Sequence, residues 1–345
     1  MSEPVCEKTS AMDDGDENGT HISGEVNAPG APASAPEFAA AVQPSYVWTV
    51  FLDGDGLRPG WGLVFYLAMF YLLEHVVFRW AGTLDLGADG LWSMMLEEFG
   101  VLLAATVPAL VLARVENRPW GAYGLPERWA FGKFFWLGGV WGFASITLLL
   151  GTMYGLRVFE VGHLAIHGMR SVKFAAFWAF YFLLVGLFED FHFRGYLQFT
   201  LTRGIGFWPA AVLLSGYFGL SHLSNEGERW TGLLAAAVIG FFFCLTLRRT
   251  GSLWFAVGFH AAWDWGETFV YSVPDSGTVF PGHLLKTSFH GPAWLTGGVV
   301  GPEGSLLCFL VIGAAWVLFA TIYRDVRYGV GEEKSLTQRA RGMTG

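Results

Sequence analysis

Residues 172–198 read V-K-F-A-A-F-W-A-F-Y-F-L-L-V-G-L-F-E-D-F-H-F-R-G-Y-L-Q. The run up to Phe188 carries a single charge, Lys173, at its start, and is close to the length of about 20 mostly apolar residues that crosses a bilayer as a helix. It ends in Glu189, Asp190 and Arg194. On a helix, Asp190 and Arg194 are four apart and share a face, which suits an ion pair. Glu189 then points about 100° away and is free to aim at a cavity. Taken as a fragment, the stretch is equally consistent with a salt-bridged helix end that has no chemistry. An ionisable group in a span is costly, so each one is a functional candidate by default.

The rest of the chain agrees with a membrane setting. Of its 345 residues, 53% are hydrophobic and only 14% charged, against about 25% charged in an ordinary soluble domain. Apolar runs recur at 61–80, 91–113, 134–156, 172–191, 208–223, 230–247, 252–272 and 304–323. The expected fold is therefore all-α, a polytopic membrane protein of about eight transmembrane helices. The run 208–223 is short and reads as a broken or tilted helix buried among others. A polar, Gly-rich connection at 274–303 precedes the last span, and connections of that length are usually functional or mobile.

Charge divides the chain. Residues 1–46 hold eight acids against one base, Lys8, which leaves −1 of the net −8 for everything beyond. Rich in Ala, Pro, Gly and Ser, this segment reads as a disordered acidic tail that is retained, since it lacks the basic and apolar regions of a signal peptide. The membrane domain is expected over 47–328 and a cytoplasmic C-terminal tail over 329–345. With the N-terminus inside, 15 Lys and Arg fall on the cytoplasmic side and 6 (Arg79, Arg157, Arg170, Lys173, Arg229, Lys286) on the other. Both termini are then cytoplasmic. The absence of a basic stripe argues against nucleic acid as a partner. The three cysteines, Cys6, Cys244 and Cys308, lie too far apart to give a disulfide framework or a zinc spacing.

Two further features lie at membrane depth. F-G-L-S-H ends the fifth run with Phe218 and His222, and H-A-A-W-D places His260 and Asp264 one turn apart in the seventh. Alone, His222 reads as a helix-end histidine and His260 as a packing residue. An aspartate at mid-span has no cheap packing explanation. Gathered in one cavity, these groups would supply a base, an electrophile and the means to tune one another. Weaker candidates are the pair Glu97–Glu98, Glu74 with His75, and Glu267, which are expected to pair locally or reach an interface. Glu160, His163 and His167 are a remote metal set in a loop, and Asn18-Gly19-Thr20 is a chance sequon.

Glu189-Asp190-x-x-x-Arg194, Phe218-x-x-x-His222 and His260-x-x-x-Asp264, in that order on successive membrane helices, resemble the CPBP family of intramembrane proteases, the CAAX proteases and bacteriocin-processing enzymes also called the abortive-infection family. The flanks F-R-G-Y-L-Q and R-R-T-G-S-L-W look similar too, as does G-P-E-G-S-L at 301–306, and the match covers roughly 172–272. The resemblance implies peptide-bond hydrolysis in or at the edge of the membrane. Glu189 and His222 would activate a water, and His260 and Asp264 would stabilise the oxyanion. Asp190 and Arg194 would hold the site together.

Two positions depart from the pattern. Asp190 stands where the family usually has Glu. Asp264 stands where the eukaryotic prenyl-protein enzymes have Asn; it must be protonated, orient His260, or ligate a metal. The favoured mechanism needs no cofactor, with Zn²⁺ on His222 and His260 as the metal alternative. Water access is taken to fit a cytoplasmic-end position for Glu189. The expected partners are a membrane-associated peptide or protein substrate and the lipid bilayer, and the expected location is a bacterial plasma membrane. Two rival readings are a non-catalytic scaffold or immunity factor that binds a peptide in the same cavity, and a proton-coupled carrier.

Overall fold

The computed structural model describes residues 50–54, 56–84, 90–225, 230–329 and 331. The acidic tail 1–46 with its sequon and Cys6, the base Arg229, and all of the C-terminal tail except Gly329 and Gly331 lie outside the described residues.

After a minimal hairpin of β1 (Leu52–Asp53) and β2 (Gly56–Leu57), the chain enters helices α1 (Pro59–Ala81), α2 (Leu91–Val115) and α3 (Lys133–Gly155). Pro59 opens α1 at the position where its missing N–H costs nothing. Strand β3 (Phe159–Leu164) follows, then α4 (Met169–Phe191), a π-helical turn (His192–Tyr196) and α5 (Leu197–Ile205). Gly206, at φ 89°, ends α5 and starts α6 (Phe207–Ser221). Next come α7 (Trp230–Thr250), α8 (Trp254–Trp265) with a π-helical turn over Gly266–Val270, β4 (Leu285–Phe289), the single turn α9 (Ala293–Thr296) and α10 (Leu306–Ile322). Ser305 caps α10 by accepting from the Cys308 N–H at 3.2 Å.

This is an integral membrane protein, mostly helical. Among the described residues, five helices are long and apolar enough to cross a bilayer: 59–81, 91–115, 133–155, 169–205 and 230–250. The expected number was eight. The runs near 208–223, 252–272 and 304–323 form helices of 15, 12 and 17 residues. Twelve residues rise only about 18 Å, well short of a hydrocarbon core of about 30 Å. The fourth run, by contrast, extends through a kink at Gly195 to residue 205. Helix α8 is short but deeply enclosed, with Phe255 and Phe259 at 0% and 1% exposure. Large apolar side chains face outward on the longer helices, among them Leu72, Trp136 and Val140.

Helix α3 crosses α8 at backbone contact. A methyl group on Gly138 or Gly142 would fall 2.0 or 2.1 Å from the carbonyl oxygens of Phe255 and Phe259, and one on Gly258 would meet the Phe135 carbonyl at 2.0 Å. Small residues at such spacing let membrane helices touch along their main chains. This crossing fixes the height and rotation of α8, which carries His260 and Asp264.

The connecting segments gather at two ends of the bundle. One end holds the β1–β2 hairpin, 116–132, 251–253 and 323–328, tied together by bonds such as Leu253 N–H to the Gly124 carbonyl (2.8 Å) and Arg327 N–H to the Arg248 carbonyl (2.9 Å). A buried Glu116 anchors this end, accepting from the Tyr123 and Tyr196 hydroxyls (both 3.2 Å) beside Arg203. The other end holds 157–168, 222–225 and 272–305. Here β3 pairs antiparallel with β4, Phe159 opposite Phe289, with a register shift between Val161 and Leu164. Glu160 and His163 thus lie on a strand rather than in a loop, and Glu160 faces His290 at 3.4 Å.

Candidate active site

The π-helical turn decides how α4 presents its polar end. At Gly195 (φ −85°, ψ −109°) the backbone leaves the helical region, and single π-turns of this kind recur at functional sites. Asp190 and Arg194 pair across it, Arg194 Nη1 donating to Asp190 Oδ1 at 2.6 Å with both side chains at or below 1% exposure. Arg194 Nε also donates to the Gly240 carbonyl on α7 at 3.2 Å. A methyl group at Gly240 would sit 2.6 Å from the guanidinium, which would have to shift to admit it. The guanidinium lies over the Phe218 ring at 4.5 Å, a cation–π contact that ties α4 to α6. Asp for Glu at position 190 therefore still yields a closed ion pair.

His260 sits between carboxylates. Its Nε2 lies 3.5 Å from Glu189 Oε2 and 3.5 Å from Asp264 Oδ2, and its Nδ1 lies 3.6 Å from Asp190 Oδ2. The ring is thus placed to donate in two directions. Glu189 (22% side-chain exposure) faces open space, whereas Asp190 is fully enclosed.

His222 caps the end of α6, its Nδ1 2.9 Å from the Phe218 carbonyl. A carbonyl oxygen only accepts, so Nδ1 is the donor in this contact and Nε2 is the nitrogen turned away from it. Phe218 thus touches three parts of the site: it holds His222 through its carbonyl, Arg194 under its ring, and His260 edge-on at 6.4 Å between centroids.

Glu189, His222, His260 and Asp264 all line one cavity of about 220 Å³. Asp190 and Arg194 lie behind it and are not among its lining residues. Tyr181, Glu98, Asp275, Ser276 and Glu303 complete its polar wall. Of the weaker candidates, Glu98 faces the cavity. Glu267 is enclosed, accepting from Trp263 Nε1 at 2.8 Å.

Asp275 and Glu303 come from the polar connection. Trp263 Nε1 and Ser276 Oγ donate to Glu303 at 3.1 and 2.8 Å, and Thr268 Oγ1 donates to Asp275 at 3.0 Å. The turn before Glu303 packs through Gly301 (φ 98°), where a methyl group would fall 2.2 Å from the Pro274 carbonyl. Burial, and after it the neighbouring Glu303, push the Asp275 carboxyl up to about 8. The G-P-E-G-S-L stretch at 301–306 is the sequence signal for this part.

Zinc on His222 and His260 finds little support in the donor set. One imidazole faces carboxylates at both nitrogens. Among the described residues, the three possible ligands whose atoms lie within 4.8 Å of one another are Asp264, Asp275 and Glu303, which include neither histidine. An all-oxygen set suits a hard cation better than zinc.

Glu189 lies two residues before the last residue of α4, ahead of the π-helical turn, and its cavity extends towards the end of the bundle that holds 222–225 and 272–305.

A helical membrane protein with a cavity of carboxylates and histidines closed between its helices is the class that fold and site define. Within it, residues 171–266 match the family described as Type II CAAX prenyl endopeptidase, Rce1-like, and this segment supports assignment to the CPBP/CAAX protease family. The matched segment takes in all three motifs and stops short of Asp275 and Glu303. No curated protein matches the chain.

Proposed function

We propose that this chain is an intramembrane endopeptidase that hydrolyses peptide bonds of membrane-associated proteins or peptides. The observation that carries the reading is His260 Nε2 at 3.5 Å from both Glu189 and Asp264, in a cavity that His222 also lines. Glu189 takes a proton from a water, aided by His222 in the same cavity, and the resulting hydroxide adds to the scissile carbonyl. The N–H of His260 is the donor offered to the oxyanion, a contact strengthened by the dry surroundings. Asp264 orients His260, which answers how an aspartate serves where an amide is usual. The proton held by Glu189 and His222 then passes to the leaving amine. Asp190 and Arg194 position these groups without touching substrate. No cofactor enters these steps.

The location proposed is a bacterial plasma membrane with both termini cytoplasmic. The test is cleavage of a quenched membrane-peptide library by purified wild type and Glu189→Gln, with and without chelator. Cleavage by wild type alone, unchanged by chelator, is the expected result. Loss on chelation would replace the water-activating glutamate with a metal centre. Equal inactivity of both proteins, with a peptide still bound, would favour the scaffold reading.

A further inference from the structure

Residues 91–99 read L-W-S-M-M-L-E-E-F and form the first turns of α2. Leu91, Met94 and Glu98 are spaced by three and four, so they share one helix face. That face meets α4: Leu91 and Met94 pack in a cluster with Trp178 and Phe182. Next to it, Trp92 sets its ring edge-on to Phe177 at 5.7 Å between centroids. This packing brings Glu98 to the cavity wall that Phe182, Val185 and Glu189 of α4 also line. Glu98 precedes the family-matched segment 171–266 and belongs to none of the three motifs.

Among the described residues, Glu98 Oε1 is buried and accepts no hydrogen bond. The other carboxylates on the wall have partners. Glu189 and Asp264 face His260 at 3.5 Å, Asp275 accepts from Thr268 Oγ1 at 3.0 Å, and Glu303 accepts from Ser276 Oγ at 2.8 Å. A buried acceptor left without a donor is costly and calls for a reason. Apart from burial, the groups that act most strongly on the charge of Glu98 are Glu189 and then His260, so it stands close to the reacting centre. The wall as a whole is acidic: five carboxylates and two imidazoles line it, and among the described residues neither Lys nor Arg does. A cleft lined by one sign of charge draws the opposite sign.

We propose that Glu98 is a specificity-determining residue that receives a basic side chain, above all arginine, carried by the substrate polypeptide close to its scissile bond. A guanidinium gives two parallel N–H bonds to one carboxylate, which supplies the donor that Glu98 Oε1 lacks. The methylene stem of the same side chain lies along the apolar surface that Phe182 and Val185 give the wall. Lysine, a point charge without the fork, serves less well. This deepens the hydrolytic reading and rests on it for the word substrate; the preference for a basic group stands on the unpaired oxygen and the charge of the wall.

The experiment measures binding in detergent by the full chain carrying Glu189→Gln, so that hydrolysis does not consume the probe. The probes are fluorescent Leu/Ala membrane peptides with a single arginine moved one position at a time along the sequence. Each is paired with a twin that holds citrulline, the uncharged isostere, at the same position. At a defined position arginine should bind at least about tenfold more tightly than citrulline, and with Glu98→Gln added that ratio should fall to about twofold or less. Glu98→Asp, which keeps the charge but sets it back by one methylene, should lower the ratio without abolishing it, and it serves alone if Glu98→Gln does not fold. The absence of any position that prefers arginine, or a preference unchanged by these substitutions, overturns the proposal. So does a Glu98→Gln that, with Glu189 intact, slows cleavage of arginine and citrulline peptides alike and leaves their binding untouched, since Glu98 would then serve proton transfer. Binding needs no catalysis, so arginine selectivity in a protein whose wild type cleaves none of these peptides would sink the hydrolytic reading alone.

Discussion

Two adjacent carboxylates on α4 have opposite duties. Asp190 is enclosed and bound to Arg194, and removing it strands a buried guanidinium. Breaking such a pair from one side costs about 3–5 kcal/mol. Asp190→Ala should therefore lose most of its folded, monodisperse protein on size-exclusion chromatography. Arg194→Lys should not restore full stability, because an ammonium cannot hold Asp190 and the Gly240 carbonyl with one planar fork. Glu189 faces the cavity, and its neighbour there is His260 at 3.5 Å rather than an enclosed guanidinium. Glu189→Gln should keep a thermal midpoint near wild type while kcat/KM on a cleaved peptide falls by about 10²–10⁴. A matched fall in stability would make Glu189 a structural residue. The i, i+4 spacing made the Asp190–Arg194 pair legible in the sequence. The approach of Asp190 to His260 was not, because it depends on how α4 and α8 are rotated against each other.

At the level of elements, apolar runs were legible and their lengths were not. The run around 252–272 is long enough to read as a span, yet it becomes a 12-residue helix and a π-turn packed inside the bundle. What holds it there is written in G-G-V-W-G at 138–142, a spacing that hydropathy hides. The crossing gives a sharp contrast between two neighbouring positions. Gly142→Val pushes a side chain into the Phe259 carbonyl, so α3 and α8 must separate. Overpacking typically costs about 1–3 kcal/mol, and here it also displaces His260. We expect a lower thermal midpoint together with a cleavage loss of at least about tenfold. Val140→Leu, on a side chain 65% exposed on the outer face, should change neither. Equal behaviour of the two variants would remove the crossing as the device that positions the site.

Across the whole molecule, the site joins helices recognisable by motif to a polar connection that carried no motif strong enough to assign. Asp275 and Glu303 are about as far apart in sequence as the connection is long, and the Gly301 turn, the bond from Gly277 N–H to the Val300 carbonyl and those from Ser276, Thr268 and Trp263 bring them together. Their closeness has a consequence for pH. The Asp275 carboxyl is raised from its ordinary 3.8 to about 8, by burial first and by Glu303 second. Between these values the folded protein binds a proton that the unfolded chain has released, so stability falls as pH rises through the window. Above about 8 the carboxylate is charged beside Glu303, and the full penalty is present. Thermal unfolding in detergent at pH 6 and pH 9 should show a lower midpoint at the higher pH. Asp275→Asn, which keeps the shape and cannot ionise, should flatten that dependence and leave the midpoint at pH 6 near wild type. A slope that survives the substitution would place the pH sensitivity elsewhere, and a slope of opposite sign would mean that the connection draws strength from an ionised Asp275.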